Sequence, residues 1–450
     1  MENKKRNIRV SIITLGCSKN LVDAECMTRI LLDDQMEMTA DPSAADVIIV
    51  NTCGFIESAK KEAIDTILEM SEYKAPVGKC DFLVVTGCLA QRYAEDIREQ
   101  IPEVDEVLGT SHYHDVARAI RILYGEYSGP VENFVSEPGS LSHMRINRVV
   151  STTGYAWLKI AEGCSNRCAY CAIPFIRGPY ISRSMEDIVE EAIILSAAGN
   201  SEIILTAQDT TRYGLDIYGK RMLAELIREL SKVSDIRMIR IMYSYSDGIT
   251  EDLISEIKNN PKVAHYLDMP VQHGDDGILK NMRRHDTSAM ISDAVARLRE
   301  EIPDIVLRTT VLVGFPGESK EAFDNLLKML SKWRFDRLGC FVFSPEEGTE
   351  AFDMKGKVRK DTAEKRFRQV MALQQEISLA KNQARMQTVV DVTIESISDD
   401  GIFYVGRSYG EAPEVDPSIY VAATGEPLEI GQTYPIRFVD CSAYDITGVT

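Results

Sequence analysis

The stretch Glu162-Gly163-Cys164-Ser165-Asn166-Arg167-Cys168-Ala169-Tyr170-Cys171-Ala172-Ile173-Pro174 decides how the chain is read. Its three cysteines stand as Cys-x3-Cys-x2-Cys, just after a strand-like apolar run over 156–160. Thiolates packed this tightly in sequence bind something soft. A structural zinc loop would want a fourth ligand, and none stands nearby. A [4Fe–4S] cluster tolerates three thiolates and leaves one iron open to a small chelating molecule. The zinc loop stays as the alternative. Tyr170 reads equally well as part of such a loop and as a plain core aromatic.

Upstream, three apolar runs also end in cysteine: Ser11-Ile-Ile-Thr-Leu-Gly-Cys17, Val47-Ile-Ile-Val-Asn-Thr-Cys53 and Phe82-Leu-Val-Val-Thr-Gly-Cys88. Helical patterns follow near 21–32, 56–70 and 90–100. Continuous apolar runs alternating with helices indicate a parallel sheet buried on both faces, and ligands of such sheets bind beyond the carboxyl ends of the strands. Cys17, Cys53 and Cys88 all sit at such ends, so a second three-thiolate site is expected there. One buried cysteine would read as core filler; three placed alike read as ligands. Cys26, inside the first helix pattern, and Cys80, in a polar connection, are left out of both sets; Cys340 and Cys441 read as packing residues. Residues 126–149 lack periodicity and read as a linker.

Downstream, strand candidates at 156–160, 202–206, 237–242, 266–269, 307–313 and 338–343 alternate with helical patterns at 185–198, 222–230, 251–259, 278–282 continuing through 288–300, and 320–330. Six strand–helix units predict a partial parallel (β/α)6 barrel, whose site lies at the carboxyl ends of its strands. The residues just past those ends are Gln208 and Asp209, Tyr243 and Ser244, Gln272 and His273, and Gly314 to Glu318. Each also reads as a turn or cap residue; their shared rim favours a site. A long charged helix spans 361–385, its charges read as a solvated face. Beyond it, short strands at 389–394, 403–407, 419–422 and 434–439 suggest a small β-barrel. The expected division is therefore 1–125, linker 126–149, barrel 150–386 and tail 387–450, an α/β chain with an appended β-barrel.

Composition sets bounds. At 450 residues the chain is long enough for about three domains. No apolar run is long enough to span a membrane, and the opening residues carry no signal-peptide hydrophobic core. Ten cysteines without a secretion signal point to a reducing cytoplasm and metal ligation. The net charge of −18 argues against generic nucleic-acid binding. Half of it sits in 387–450, where two arginines face eleven acidic residues for a net of −9. Glu411, Glu414 and Asp416 read as exposed members of that acidic set, suited to steering a basic protein partner.

Taken together, these features resemble the methylthiotransferases, a family of radical S-adenosylmethionine (SAM) enzymes, over nearly the whole chain. The first domain is similar to that family's own cluster domain, the middle to its radical-SAM barrel and the tail to its TRAM β-barrel. Leu15-Gly-Cys17-Ser-Lys-Asn-Leu-Val-Asp-Ala-Glu25, Ala207-Gln-Asp-Thr-Thr-Arg-Tyr-Gly214, Tyr266-Leu-Asp-Met-Pro-Val-Gln-His273 and Val313-Gly-Phe-Pro-Gly-Glu318 are similar to the branch that modifies a ribosomal protein.

The resemblance implies two [4Fe–4S] clusters. Cys164, Cys168 and Cys171 would hold the one that binds SAM, and Cys17, Cys53 and Cys88 the one that donates sulfur. Gln208, Asp209, Gly314, Gly317 and Glu318 would line SAM. Reductive cleavage of SAM would give a 5′-deoxyadenosyl radical that abstracts hydrogen from an unactivated C–H bond, and a second SAM would supply the methyl group; the cofactor carries chemistry that no side chain can. The implied substrate is an aspartate of the twelfth protein of the small ribosomal subunit, methylthiolated at its β-carbon. Partners would be that protein, a protein electron donor and a sulfur source, with no direct nucleic-acid grip from the acidic tail. Two other readings remain: a tRNA methylthiotransferase, whose tail would need Lys and Arg for phosphates, and a non-catalytic Fe–S redox sensor.

Overall fold

The computed structural model describes residues 7–127, 133–142, 144 and 147–450. In the first domain, β1 (Arg9–Thr14), β2 (Glu37–Met38), β3 (Val47–Thr52), β4 (Phe82–Gly87) and β5 (Glu106–Leu108) form a parallel sheet in the order β2-β1-β3-β4-β5. The three apolar runs are its centre. The edges β2 and β5 are too short to leave an apolar signature. Alternation sorts the side chains: Val47, Ile49 and Val84 pack on helix α1 (Ser18–Asp33) and on Val116–Leu123. Ile48, Val50, Leu83 and Val85 pack on Glu57–Ser71 and Ala94–Gln100. Both faces are thus covered, which is why the strands read as unbroken apolar runs. The single helix expected over 90–100 is two, Cys88–Arg92 and Ala94–Gln100, broken at Tyr93.

The second domain begins with β6 (Tyr155–Lys159), followed by a two-strand ribbon of β7 (Ala161–Glu162) and β8 (Ile181–Ser182) that frames the cysteine loop. Then come β9 (Glu202–Thr206), β10 (Met238–Ile241), β11 (Val263–Asp268), β12 (Val306–Val313) and β13 (Arg337–Val342). The six longer strands make one sheet, β13-β12-β11-β10-β9-β6, every neighbouring pair parallel. Leu158, Ile203, Leu205, Ile239, Ile241, Leu267 and Leu307 face the surrounding helices. The opposite face carries Trp157, Ile204, Met242, Tyr266 and Val306, and it is filled by Val22 and Cys26 of α1 and by Ala412 of the tail. The helix expected to run on through 278–300 is Asp276–Asn281 and Ser288–Glu301, and the break between them carries Arg284 and Asp286.

The long helix Lys360–Ala384 buries Ala363, Arg366, Val370, Gln374 and Ile377, and leaves its remaining charges outward. The tail closes as a barrel of β14 (Val389–Ile397), β15 (Tyr404–Arg407), β16 (Ile419–Ala422), β17 (Thr433–Cys441) and β18 (Ile446–Val449), in the order β14-β15-β16-β18-β17. Four strands were expected. The fifth, β18, is four residues long with a glycine inside, and it closes the ring between β16 and β17.

One expectation is overturned here. Glu411 is 1 % exposed and accepts from Arg385 at 2.6 Å and Arg337 at 3.2 Å. Asp416 accepts from the Tyr266 hydroxyl at 2.6 Å and faces Arg308. Glu414 is exposed, yet it accepts from the Tyr155 hydroxyl at 3.0 Å. These acids dock the tail onto the barrel; the arginines they pair with lie too far away in sequence for composition to reveal them.

All ten cysteines are free. Among the described residues no helix is long and apolar enough to cross a membrane. The expected linker falls partly outside the described residues; within 133–142 there is no helix or strand.

Candidate functional site

The first thiol set is assembled by the ends of β1, β3 and β4. Gly16 adopts φ +94°, and a Cβ there would lie 2.8 Å from the Cys53 Cβ, so only glycine lets the two strand ends close. Asn20, fully buried in the first turn of α1, ties them further: its Nδ2 donates to the Leu15 and Thr52 carbonyls, each at 3.0 Å. Its Oδ1 lies 3.6 Å from the Cys88 thiol. Cys17, Cys53 and Cys88 are thereby brought within electrostatic reach of one another. Burial pushes the Cys88 thiol up to about 12 and raises Cys53 as well. These thiols are neutral until a metal takes their protons.

The second set sits on the loop after β6. Gly163 has φ +70° and runs against Gly178 and Pro179, where a Cβ would come 2.1 Å from the Pro179 carbonyl oxygen. The Cys164 amide donates to Gly178 at 3.0 Å. Asn166 donates to Asp209 at 2.8 Å, and Asp209 also accepts from Thr211 at 2.6 Å. The Cys168 sulfur lies 4.0 Å from the Tyr245 hydroxyl. Burial pushes Cys164 up to about 11 and Cys171 further. The Arg284 guanidinium stacks on Tyr245 and pairs with Asp286; its Nε and Nη1 have no hydrogen-bond partner among the described residues.

Among the described residues no three His, Cys, Asp or Glu side chains crowd close enough for one metal ion. An iron–sulfur cluster presents its irons at separate corners, and two all-sulfur donor sets suit it.

The two sets meet at a buried charged seam. Lys159 Nζ donates to Asp23 of α1 and to Glu162, both at 2.6 Å. Arg177 donates to Asp23 at 2.7 Å and to Asn20 at 2.6 Å, and its Nη2 lies 3.6 Å from the Cys88 sulfur. Glu162 precedes Cys164 and Arg177 follows Cys171, so the barrel's cysteine loop is braced at both ends against the first domain. A second buried bridge, Glu25–Arg148–Glu191, lies alongside. Lys19 is 4 % exposed, with its ammonium 3.2 Å from the centroid of the Tyr243 ring. Burial pulls that ammonium down to about 8, against a smaller opposing pull from Cys17.

The rim residues divide. Asp209 is buried and holds the cysteine loop; Gln208 beside it is half-buried. Tyr243 and Gln272 adopt φ of +58° and +67°, unusual for residues with a side chain. The Gly317 amide donates to Gly356 at 2.9 Å. The carboxylate of Glu318 accepts from the Gly314 amide, from Arg366 at 2.9 Å and from His273 at 3.3 Å. It braces the 314–318 loop from inside and presents no free oxygen. A cavity of about 1180 Å³ lies elsewhere, between the amino ends of the barrel strands and the tail, and none of the cysteines lines it.

Sequence reasoning passed over Lys19, Asn20, Asp23, Lys159, Arg177, Tyr245 and Arg284. One signal was present: Lys159 closes an otherwise apolar strand, which is a costly place for a charge without a partner.

Three family profiles match in succession: "Uncharacterized protein family UPF0004" over residues 9–109, "Radical SAM superfamily" over 158–330 and "TRAM domain" over 388–450. A protein of Acetivibrio thermocellus named ribosomal protein uS12 methylthiotransferase RimO is 49 % identical over 98 % of each chain. Proteins of the same name from Caldicellulosiruptor saccharolyticus and Geobacter sulfurreducens are each 45 % identical, over 98 % and 100 % of this chain and 99 % of their own. Among solved structures, the radical SAM methyltransferase TsrM from Kitasatospora setae aligns with a TM-score of 0.60 at 13 % identity, covering 77 % of each chain. At that identity the likeness concerns the fold. Near-complete coverage at this level of sequence identity places the chain in the family of ribosomal protein uS12 methylthiotransferases, RimO.

Proposed function

We infer that this chain is a radical-SAM transferase that adds a methylthio group to the β-carbon of an aspartate in ribosomal protein uS12. The observation that carries the reading is the pair of thiol triads on either side of one buried seam, in a chain of this family. Cys164, Cys168 and Cys171 would hold the cluster that binds SAM, and Cys17, Cys53 and Cys88 the sulfur-donating one. When bound, these groups supply hydrogen abstraction, sulfur and a methyl group. The protein's own contribution is geometry and electrostatics. Asn20 fixes the first triad, Asp209 and Asn166 fix the loop of the second, and Asp23, Glu162, Lys159 and Arg177 hold the two in register. Arg284, paired with Asp286 through Nη2, keeps its Nε and Nη1 free to donate near Cys168. Gln208 with the 314–318 loop, braced by Glu318, would border the SAM pocket. A protein electron donor and a sulfur source complete the reaction, which belongs in the cytoplasm with the ribosome.

The test is mass spectrometry of ribosomal proteins and tRNA from a strain lacking this protein. A methylthio mass missing from uS12 alone, with tRNA unchanged, is the expected result. A change confined to tRNA would assign the tRNA substrate instead. In the purified protein, replacing either triad by alanine is expected to remove about half of the cluster iron. Wild-type iron after loss of Cys17, Cys53 and Cys88 would eliminate the second cluster.

A further inference from the structure

Lys19 stands out among the buried charges. At 4 % exposure its ammonium has neither a hydrogen bond nor a salt bridge to any described residue; it lies over the Tyr243 ring, and the carboxylates of Asp268 and Glu162 act on it only from beyond salt-bridge distance. The other buried cations of the seam, Lys159, Arg177 and Arg148, each have a carboxylate within hydrogen-bond reach. A buried ammonium without a counter-ion is costly unless something completes it.

Its surroundings specify what completes it. Lys19 lies in the first turn of α1, a helix of sixteen residues whose N-cap, Cys17, contributes no side-chain cap and whose first turn has no acidic residue. The unpaired N–H groups of that turn favour an anion. Ser18 beside it is 5 % exposed; its hydroxyl lies close to the Tyr243 phenol but has no partner of normal hydrogen-bond geometry. An ammonium, a hydroxyl and a helix amino terminus therefore come together beside Cys17 and Tyr243, at the rim of the barrel. A ligand there is anionic, small and able to accept several hydrogen bonds, which describes a carboxylate.

We propose that Lys19, seated on Tyr243 with Ser18 and the amino end of α1, binds the side-chain carboxylate of the acceptor aspartate. This rests on the methylthiotransferase reading above. In an aspartate the carboxylate is bonded directly to the β-carbon, so fixing it also fixes the carbon to be modified, beside Cys17. The same contact explains selection of an acid over its amide: an asparagine would leave the ammonium unneutralised and turn an N–H₂ toward it.

The experiment uses cluster-loaded enzyme and uS12, free and in the small subunit, with the acceptor aspartate intact or replaced by asparagine. Binding is measured without reductant, so that no turnover occurs. The wild-type enzyme is expected to prefer the aspartate form by about tenfold or more, the scale of a charge-assisted hydrogen bond. In Lys19→Met and in Tyr243→Leu that preference is expected to collapse toward unity, while iron content and reductant-dependent formation of 5′-deoxyadenosine stay near wild type. A variant that keeps the wild-type preference, or a wild-type enzyme that binds both forms equally, overturns the proposal. So does loss of iron in Lys19→Met, Lys19→Gln and Tyr243→Leu alike, which would assign Lys19 to balancing cluster charge. Failure of the underlying reading shows separately, as wild-type enzyme that adds no methylthio mass to intact uS12.

Discussion

Two buried seams join the three domains of this protein, and they are built differently. At the seam between tail and barrel the charges close on themselves. Glu202 receives Arg240 and Arg407, Glu411 receives Arg337 and Arg385, and Asp416 receives Tyr266 with Arg308 nearby. At the seam between the first domain and the barrel the pairing is left open. Arg177 reaches past its carboxylates to the Cys88 sulfur, and Lys19 has no carboxylate of a described residue within salt-bridge distance. The first arrangement is a clamp. The second holds positive charge in place beside the thiols, where an incoming anion or cluster would use it. Buried ion pairs by themselves do not distinguish stability from function; whether they are saturated does.

The sharpest way to break this comparison is Arg177→Met. It takes the guanidinium away from Asp23 and Glu162, which keep Lys159, and removes the contact to Cys88. Loss of one partner from a buried network costs about 3–5 kcal/mol. Thermal unfolding is expected to move down strongly, and product formation to fall even under conditions where the variant stays folded. Normal turnover by folded Arg177→Met would make this seam a clamp like the other.

Next is Glu411. Burial would raise its carboxyl, but Arg385 and Arg337 more than offset this and hold it at about 2, against an ordinary 4.5. A depressed acid contributes stability that is complete above the unfolded value and is lost as pH falls through the folded one. The window is therefore pH 4.5 down to 2, and the contribution is on the order of 3 kcal/mol. Glu411→Gln is expected to lower stability at neutral pH by a similar amount and to flatten the acid limb between those values. SAM cleavage per folded molecule should not change. Impaired cleavage would mean that the tail seam reaches the chemistry.

The smallest effect concerns four of the acids that do face solvent, Asp399, Asp400, Glu426 and Glu429. Exchanging them for the amides is expected to slow association with isolated uS12 a fewfold, as steering predicts if uS12 is basic, and to make the salt dependence shallower. Association rates identical to wild type across a salt series would remove the tail from recognition.

The centre of each domain was legible because burial leaves a periodic mark. The runs ending at Cys17, Cys53 and Cys88 and the six strands of the barrel are apolar over their length, and each is found close to where that pattern puts it. Elements marked only by pairing were not legible: β2, β5 and β18 are short, and their place is set by neighbours distant in sequence. The cysteines could be read because thiols in a fixed spacing have few other uses. The residues that orient them could not. Asn20, Asp23 and Arg177 become partners only when α1 lies across the barrel sheet, and no local pattern announces a contact between positions so far apart. Glu411 and Asp416 failed in the opposite direction, since acidic composition looks like solvation until the fold supplies their arginines.

Helix α1 has one more consequence. It is packed by one face onto its own sheet through Met27 and Leu31, and by another onto the barrel through Val22 and Cys26, while its first turn carries the polar ties. It is a shared wall, the stave that one domain lends to close the other's half-open barrel. Parting the two domains would break every one of those ties at once, so a substrate meets the two domains as one body rather than through a hinge between them.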